Sequence, residues 1–193
     1  MTLLKIITVP DPVLKTVAQP VARVDDAIRT QLENMRDTMY DAPGIGLAAN
    51  QVNVLQRLIV CNVQDGTWEY GGEERHGVLR LESMRPSEEK NQPLLMANPV
   101  VVWESEQRSV YEEGCLSIPG QYADVERPAS VRVKYLDLDN AEQEILAEGL
   151  LSHCVQHEID HLNGVLFVDY LSSLKRNMML RKVAKIVKDR EAL

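Results

Sequence analysis

An α+β fold, with antiparallel or mixed β-sheets packed around a central helix and a further helix at the C-terminus, is what this chain predicts. Short strand-like segments come in runs, helical periodicity follows them, and 193 residues suit a single core.

The first helix is expected over residues 24–40, where Ile28, Leu32, Met35 and Met39 recur at spacings of four, three and four. Asp25 and Asp26 stand at its start, where negative charge favours the positive end of the helix dipole. Arg57-Leu58-Ile59-Val60-Cys61-Asn62-Val63 is a short apolar run bounded by polar residues and reads as a buried strand. Residues 94–97 and 100–103 read as two strands separated by Asn98-Pro99. Over 131–137 the alternation is clean, as in a half-buried antiparallel strand. A turn-rich break at 137–140 and a strand over 142–146 then complete a hairpin. After Gly149 a helix runs over 150–162 and stops near Asn163-Gly164. The last helix, 172–190, carries Leu174, Met178, Val183 and Ile186 on a rough apolar stripe.

Residues 64–92 stand apart, with four glycines, the charged runs Glu73-Glu74-Arg75 and Glu88-Glu89-Lys90, and little periodicity. They read as a surface insertion. The chain is therefore expected to be one domain over 1–170, with that insertion, and a basic helix over 171–193.

A net charge of −8 disfavours general nucleic-acid binding, so no DNA partner is expected. No apolar run approaches membrane-spanning length, so no membrane partner is expected either. The apolar patch at the N-terminus is cut short by Pro10-Asp11-Pro12 and does not make a signal peptide. Cys61, Cys115 and Cys154 are a sparse, odd set that fits a reduced cytoplasm better than a disulfide framework. The charge is uneven, since residues 171–193 hold seven basic residues against two acidic ones.

The chemistry centres on His157-Glu158-Ile159-Asp160-His161. Two histidines four apart on a helix reach one metal ion, and the glutamate after the first faces the same ion. His153 extends the series by one turn, but eight residues at about 1.5 Å rise put it about 12 Å from His161 along the axis. One ion does not easily bind both, so His153 reads as a core-edge histidine rather than a ligand. Glu112-Glu113-Gly114-Cys115-Leu116-Ser117-Ile118-Pro119 offers another candidate ligand in Cys115, although a cysteine so placed is by itself more often a small buried hydrophobe. Its flanking Gly114 and Pro119 point to a loop of special geometry.

Three segments occur in order: Gly44-Ile45-Gly46-Leu47-Ala48-Ala49-Asn50-Gln51, Glu113-Gly114-Cys115-Leu116-Ser117 and Gln156-His157-Glu158-Ile159-Asp160-His161. With them the chain strongly resembles peptide deformylase, and the likeness extends to Pro10-Asp11-Pro12-Val13-Leu14 and Gly164-Val165-Leu166-Phe167. It implies a cytoplasmic metallohydrolase that removes the formyl group from the N-terminal formyl-methionine of new polypeptides, releasing formate. Cys115, His157 and His161 are the implied metal ligands, with Fe²⁺ as the ion and Zn²⁺, Ni²⁺ or Co²⁺ able to substitute. Glu158 is implied to move the protons, while the side-chain amide of Gln51 and the backbone N–H of Leu116 steady charge on the formyl oxygen. Gly46 is implied to let the backbone approach the substrate, and Ile45, Leu150, His153 and Cys154 to line the methionine pocket. Two departures bear on substrate preference: His153 falls where an aliphatic residue is frequent, and Tyr122 where some relatives have arginine. Arg127 and Asp160 are expected to pair and hold the cysteine loop near the motif helix. The basic C-terminal helix is expected to meet ribosomal RNA.

Two other functions compete. A zinc peptidase with the same motif normally has a later third ligand, and no histidine follows His161. A ribosome-associated protein without catalysis is disfavoured because Gln51, Cys115, His157, Glu158 and His161 are all present.

Overall fold

In chain order the described residues form helix α1 (Asp26–Asp41), strands β1 (Gly46–Ala48), β2 (Leu58–Cys61), β3 (Tyr70–Arg75), β4 (Val78–Ser83), β5 (Leu94–Glu104), β6 (Arg108–Cys115), β7 (Ile118–Pro128), β8 (Ser130–Leu136) and β9 (Glu142–Glu148), helix α2 (Gly149–Leu162) and helix α3 (Ser173–Glu191). The structure is a computed structural model and describes residues 2–63, 70–75, 78–83 and 93–191. Seven strands make one sheet in the order β1-β2-β5-β8-β9-β4-β3, and β6 and β7 make a separate antiparallel pair. This is the α+β arrangement that the sequence predicts.

Strand alternation builds the layers. In β2, Leu58 and Val60 pack with Leu32, Met35 and Met39 of α1 on one face of the sheet. Ile59 and Cys61 point the other way and pack with Cys154, Val155 and Ile159 of α2. The period of two thus puts a helix on each face of the same strand. The third apolar cluster joins Ile118, Ala123 and Val125 of β7 to Phe167 and to Val183 of α3. Helix α2 therefore lies between the large sheet and the β6–β7 hairpin, with buried positions nearly all round it.

The expected helices appear within one or two residues of their sequence bounds. Gly149 is the first residue of α2 rather than the one before it, and its φ of 58° turns the chain out of β9. Residues 94–97 and 100–103 belong to one strand, β5, with a register shift between Ala97 and Val100. Asn98 occupies that irregularity at φ 52°, and its side chain bonds both the N–H and the carbonyl of Val21 at 2.8 Å. The asparagine amide ties this irregularity to residue 21, and β5 continues past it in pairing with β8.

Two further differences concern strands that the sequence hides. Within 64–92, β3 and β4 form an antiparallel hairpin, and β4 pairs in parallel with β9. The remainder of that expected insertion, residues 64–69, 76–77 and 84–92, lies outside the described residues. Residues 112–119 are the turn of the β6–β7 hairpin with most of its last rungs, not an isolated loop. Strand β6, rich in polar and charged side chains, conceals its strand character because Val110 is exposed while Glu113 is buried, the inverse of ordinary patterning.

Candidate active site

Strand β6 and helix α2 run alongside each other and bring the sequence's chemical residues together. Cys115 closes β6, and its Sγ lies 3.2 Å from Nε2 of His161. Cys115, His157 and His161 each offer one ligand atom, and these atoms all lie within 4.8 Å of one another. A thiolate and two imidazoles so placed fit one divalent ion of borderline softness. His153, one turn earlier, is not in this group.

Glu113, to which the sequence reading gives no role, orders the centre. It is two residues before Cys115, so both side chains leave β6 on the same side. That spacing is the signal that could have found it. Its Oε2 accepts from Nδ1 of His157 at 2.8 Å, which leaves Nε2 of that ring free for an ion. Its two oxygens also accept from Arg127, Nε at 2.6 Å and Nη2 at 3.0 Å. Burial pushes the Glu113 pKa up, but the bonds from His153, His157 and Arg127 outweigh it and hold the carboxyl far below the usual range. Burial likewise lowers Arg127, and Glu113 and Asp160 more than reverse this.

Arg127 reaches Asp160 as well, Nη1 to Oδ2 at 2.7 Å, which is the ion pair the sequence leads one to expect. Tyr170 donates to the same Asp160 oxygen at 2.8 Å and lies under the guanidinium, 4.8 Å from ring centre to Cζ. Tyr170 lies outside the three family segments, and Glu113, although it opens one of them, acts through partners distant in sequence.

Glu158 is 4 % exposed and its Oε2 has no hydrogen-bond partner among the described residues. Burial in this apolar setting pushes its pKa up to about 7, against the pull of His157. Burial also lowers His161, helped by charge on His157, whereas His157 itself is raised well above its ordinary value by Cys115 and Glu113 despite burial.

Gln51 is held with its amide in a defined sense. The Ala48 N–H donates to Oε1 at 2.8 Å, so Nε2 faces Ser117 Oγ at 3.2 Å and Cys115 Sγ at 3.5 Å. Leu116 lies across Gly44, where a Cβ would come within 2.8 Å of its Cδ1. These contacts seat the cysteine loop on the glycine-containing segment.

A cleft of about 590 Å³ is bordered by Ile45, Gly46, Leu150, His153 and Cys154, together with Gln51, Cys115, Leu116, His157 and Glu158. Every residue that the sequence puts at the pocket is thus on one cavity, whereas His161, 1 % exposed, is not among the residues that border it. Gly46 also has a close protein neighbour: a Cβ there would meet Cγ and Cδ of Glu158 at 2.9 Å. Tyr122 stands at the rim, 61 % exposed, with its ring over the Cβ-less Gly114. Tyr122 pairs across the strands with Gly114, and a Cβ at position 114 would come within 2.6 Å of its ring, so a side chain there would have to displace the tyrosine.

Comparison with known proteins points the same way. The polypeptide deformylase family model matches residues 3–177. Peptide deformylase of Rhizobium meliloti is 52 % identical over 192 residues, covering 100 % of this chain and 98 % of that one. Among solved structures, peptide deformylase from Ehrlichia chaffeensis superposes with a TM-score of 0.84 at 38 % identity, covering 98 % of this chain and 99 % of that one. A second structure of that protein, in complex with actinonin, gives 0.82 at 38 % identity over 96 % and 98 % of the two chains.

Proposed function

Since the chain belongs to the polypeptide deformylase family, we propose that this cleft takes the N-terminal formyl-methionine of a newly made polypeptide and hydrolyses its formyl amide to formate and a free amine. The observation that carries the reading is a buried carboxylate, Glu158, with an unpartnered oxygen beside the Cys115, His157 and His161 ligand atoms. An ion held by those three residues supplies a Lewis acid that makes water nucleophilic near neutral pH and polarises a carbonyl. Fe²⁺ is the ion proposed, with Zn²⁺, Ni²⁺ or Co²⁺ as substitutes.

Glu158 removes a proton from the attacking water and delivers it to the departing nitrogen. Burial raises the Glu158 pKa to about 7 in the ion-free protein, and a carboxyl desolvated in this way is a stronger proton acceptor than one in water. The amide of Gln51, oriented by Ala48, and the backbone N–H of Leu116 steady the charge that develops on the formyl oxygen. Ile45, Leu150 and Cys154 offer an apolar wall to the methionine side chain. Arg127 and Asp160 keep β7 against α2 and so maintain the position of the cysteine loop.

The test is formate release from a formyl-methionyl peptide by anaerobically prepared, iron-loaded protein, with Glu158→Ala as control. Release that disappears in the variant supports the reading; cleavage at an internal peptide bond, or equal activity in the variant, overturns it.

The proposed place of action is the cytoplasm, at the ribosome. No described helix is long and apolar enough to cross a membrane. On α3 Val183 is buried against the body, while Lys175, Arg181, Lys182, Lys185 and Lys188 are exposed. Such a face is attracted to the phosphates of ribosomal RNA although the whole chain is acidic. Deleting residues 171–193 should weaken ribosome binding most at low salt, and unchanged affinity would reject the proposal.

A further inference from the structure

Two repeats of different geometry keep step across the site. Along β6 the side chains of Ser109, Tyr111, Glu113 and Cys115 leave on one side, about 6.8 Å apart for each two residues. Along α2, His153, His157 and His161 recur at about 6 Å for each four residues. The near match gives three successive rungs. Cys115 meets His161 and Glu113 meets His157, as described above. On the remaining rung, Ser109 Oγ lies 2.9 Å from Nε2 of His153, and the Tyr111 ring centre lies 4.6 Å from that of the histidine.

His153 is 1 % exposed, so its ring nitrogens depend on protein partners. Its Nδ1 faces Oε1 of Glu113 at 3.4 Å. An ionised carboxylate only accepts, so Nδ1 carries the proton and Nε2 accepts from the Ser109 hydroxyl. Glu113 then has every acceptor position filled. Its Oε1 takes Arg127 Nε and His153 Nδ1, and its Oε2 takes Arg127 Nη2 and His157 Nδ1. An aliphatic side chain at position 153 would fill the volume but leave one buried acceptor on Glu113 unmet.

We propose that His153 is a positioning residue for the ion centre: with Ser109 it fixes the Glu113 carboxylate, and through it the ring of His157. This rests on the reading of Cys115, His157 and His161 as the ligand set of a deformylase. It gives His153 a task that neither ligation nor proton transfer assigns.

The test loads the full chain with Co²⁺, whose absorption spectrum reports the ligand geometry, and follows release of the ion to excess chelator. His153→Leu should release Co²⁺ about tenfold faster than the parent, the lower end of the effect of losing support behind a ligand, with a shifted visible spectrum. His153→Asn, whose amide nitrogen sits close to the place of Nδ1, should restore release to within about threefold of the parent. A folded His153→Leu protein with the parent's release rate and spectrum overturns the proposal, as does an Asn variant no better than Leu. Should the Leu variant fail to fold, Ser109→Ala decides: faster release supports the role, and unchanged release removes it. No substrate enters this measurement, so loss of formate release by the parent would remove the deformylase reading and leave the ion-release comparison standing.

Discussion

Gly46 and Glu158 lie so close that a Cβ on the glycine would sit 2.9 Å from both Cγ and Cδ of the glutamate, and closer still to its carboxylate. The glycine thus makes room for the proposed base itself, and any approach of substrate backbone comes in addition.

From this contact, Gly46→Ala should displace Glu158 and lower kcat by about 10²-fold, the scale of a misplaced general base. Ion content should stay at the parent's level, because the three atoms nearest the new methyl group all belong to Glu158 and none to a ligand residue. Steady-state kinetics and metal analysis check it; a rise in KM at unchanged kcat would mean that the glycine serves substrate approach alone.

Glu158 also makes stability depend on pH in an unusual direction. Its folded pKa of about 7 lies above the ordinary 4.5, so stability from its protonated form is full below pH 4.5 and lost as pH rises through 7. Across that span the ion-free protein loses about 3 kcal/mol, at about 1.36 kcal/mol per pKa unit. Ion-free Glu158→Gln should therefore melt above the ion-free parent at pH 8, and the two should converge near pH 4.5. Thermal unfolding at both pH values in chelator measures this; a variant less stable at pH 8 contradicts it.

Loss of Glu113 should have the opposite sign. Glu113→Ala leaves the guanidinium of Arg127, 3 % exposed, without its two-pronged partner and should cost about 3–5 kcal/mol in denaturant unfolding at pH 7. Because the Glu113 pKa is depressed in the folded state, its contribution is present above pH 4.5 and lost as pH falls below the carboxylate range. The variant's deficit should therefore shrink in acid.

Gly164 carries a purely architectural prediction. It follows the end of α2 at φ 72°, and a Cβ there would lie 2.5 Å from the carbonyl oxygen of Lys15. Gly164→Ala should destabilise the fold by more than about 1 kcal/mol, from left-handed strain and the collision. Activity of the folded fraction at low temperature should match the parent, since the residue does not border the cleft and meets His161 only through a backbone bond, N–H to carbonyl at 3.0 Å, that alanine can also make.

Sequence alone determined a good deal here. Local pattern specifies α1 and β8, whose buried positions repeat at the period of their element, and β2 and α2, which read as a short apolar run and as a helix with a clear stop although both are buried on more than one face. The same locality makes His157, Glu158 and His161 legible, since one helical turn brings them together without help from elsewhere. Cys115 is a candidate ligand from its own segment but, like Gln51, gains a definite role only through the family resemblance; their neighbours in sequence do not say what they face.

Tertiary structure decided the rest. The β6–β7 hairpin is obscured because its inward face is spent on Ser109, Tyr111, Glu113 and Cys115, so buried polar and exposed Val110 reverse the usual pattern. Trp103, on the apolar end of β5, would be assigned to the core on composition but is 47 % exposed, beside the guanidinium of Arg132. Glu113 is one acidic residue among many until packing surrounds it with Arg127, His153 and His157, residues 14, 40 and 44 positions away. Hydrogen bonds between such distant residues leave no periodic trace in a chain. They exist only once β6, β7 and α2 have packed and water has been excluded between them.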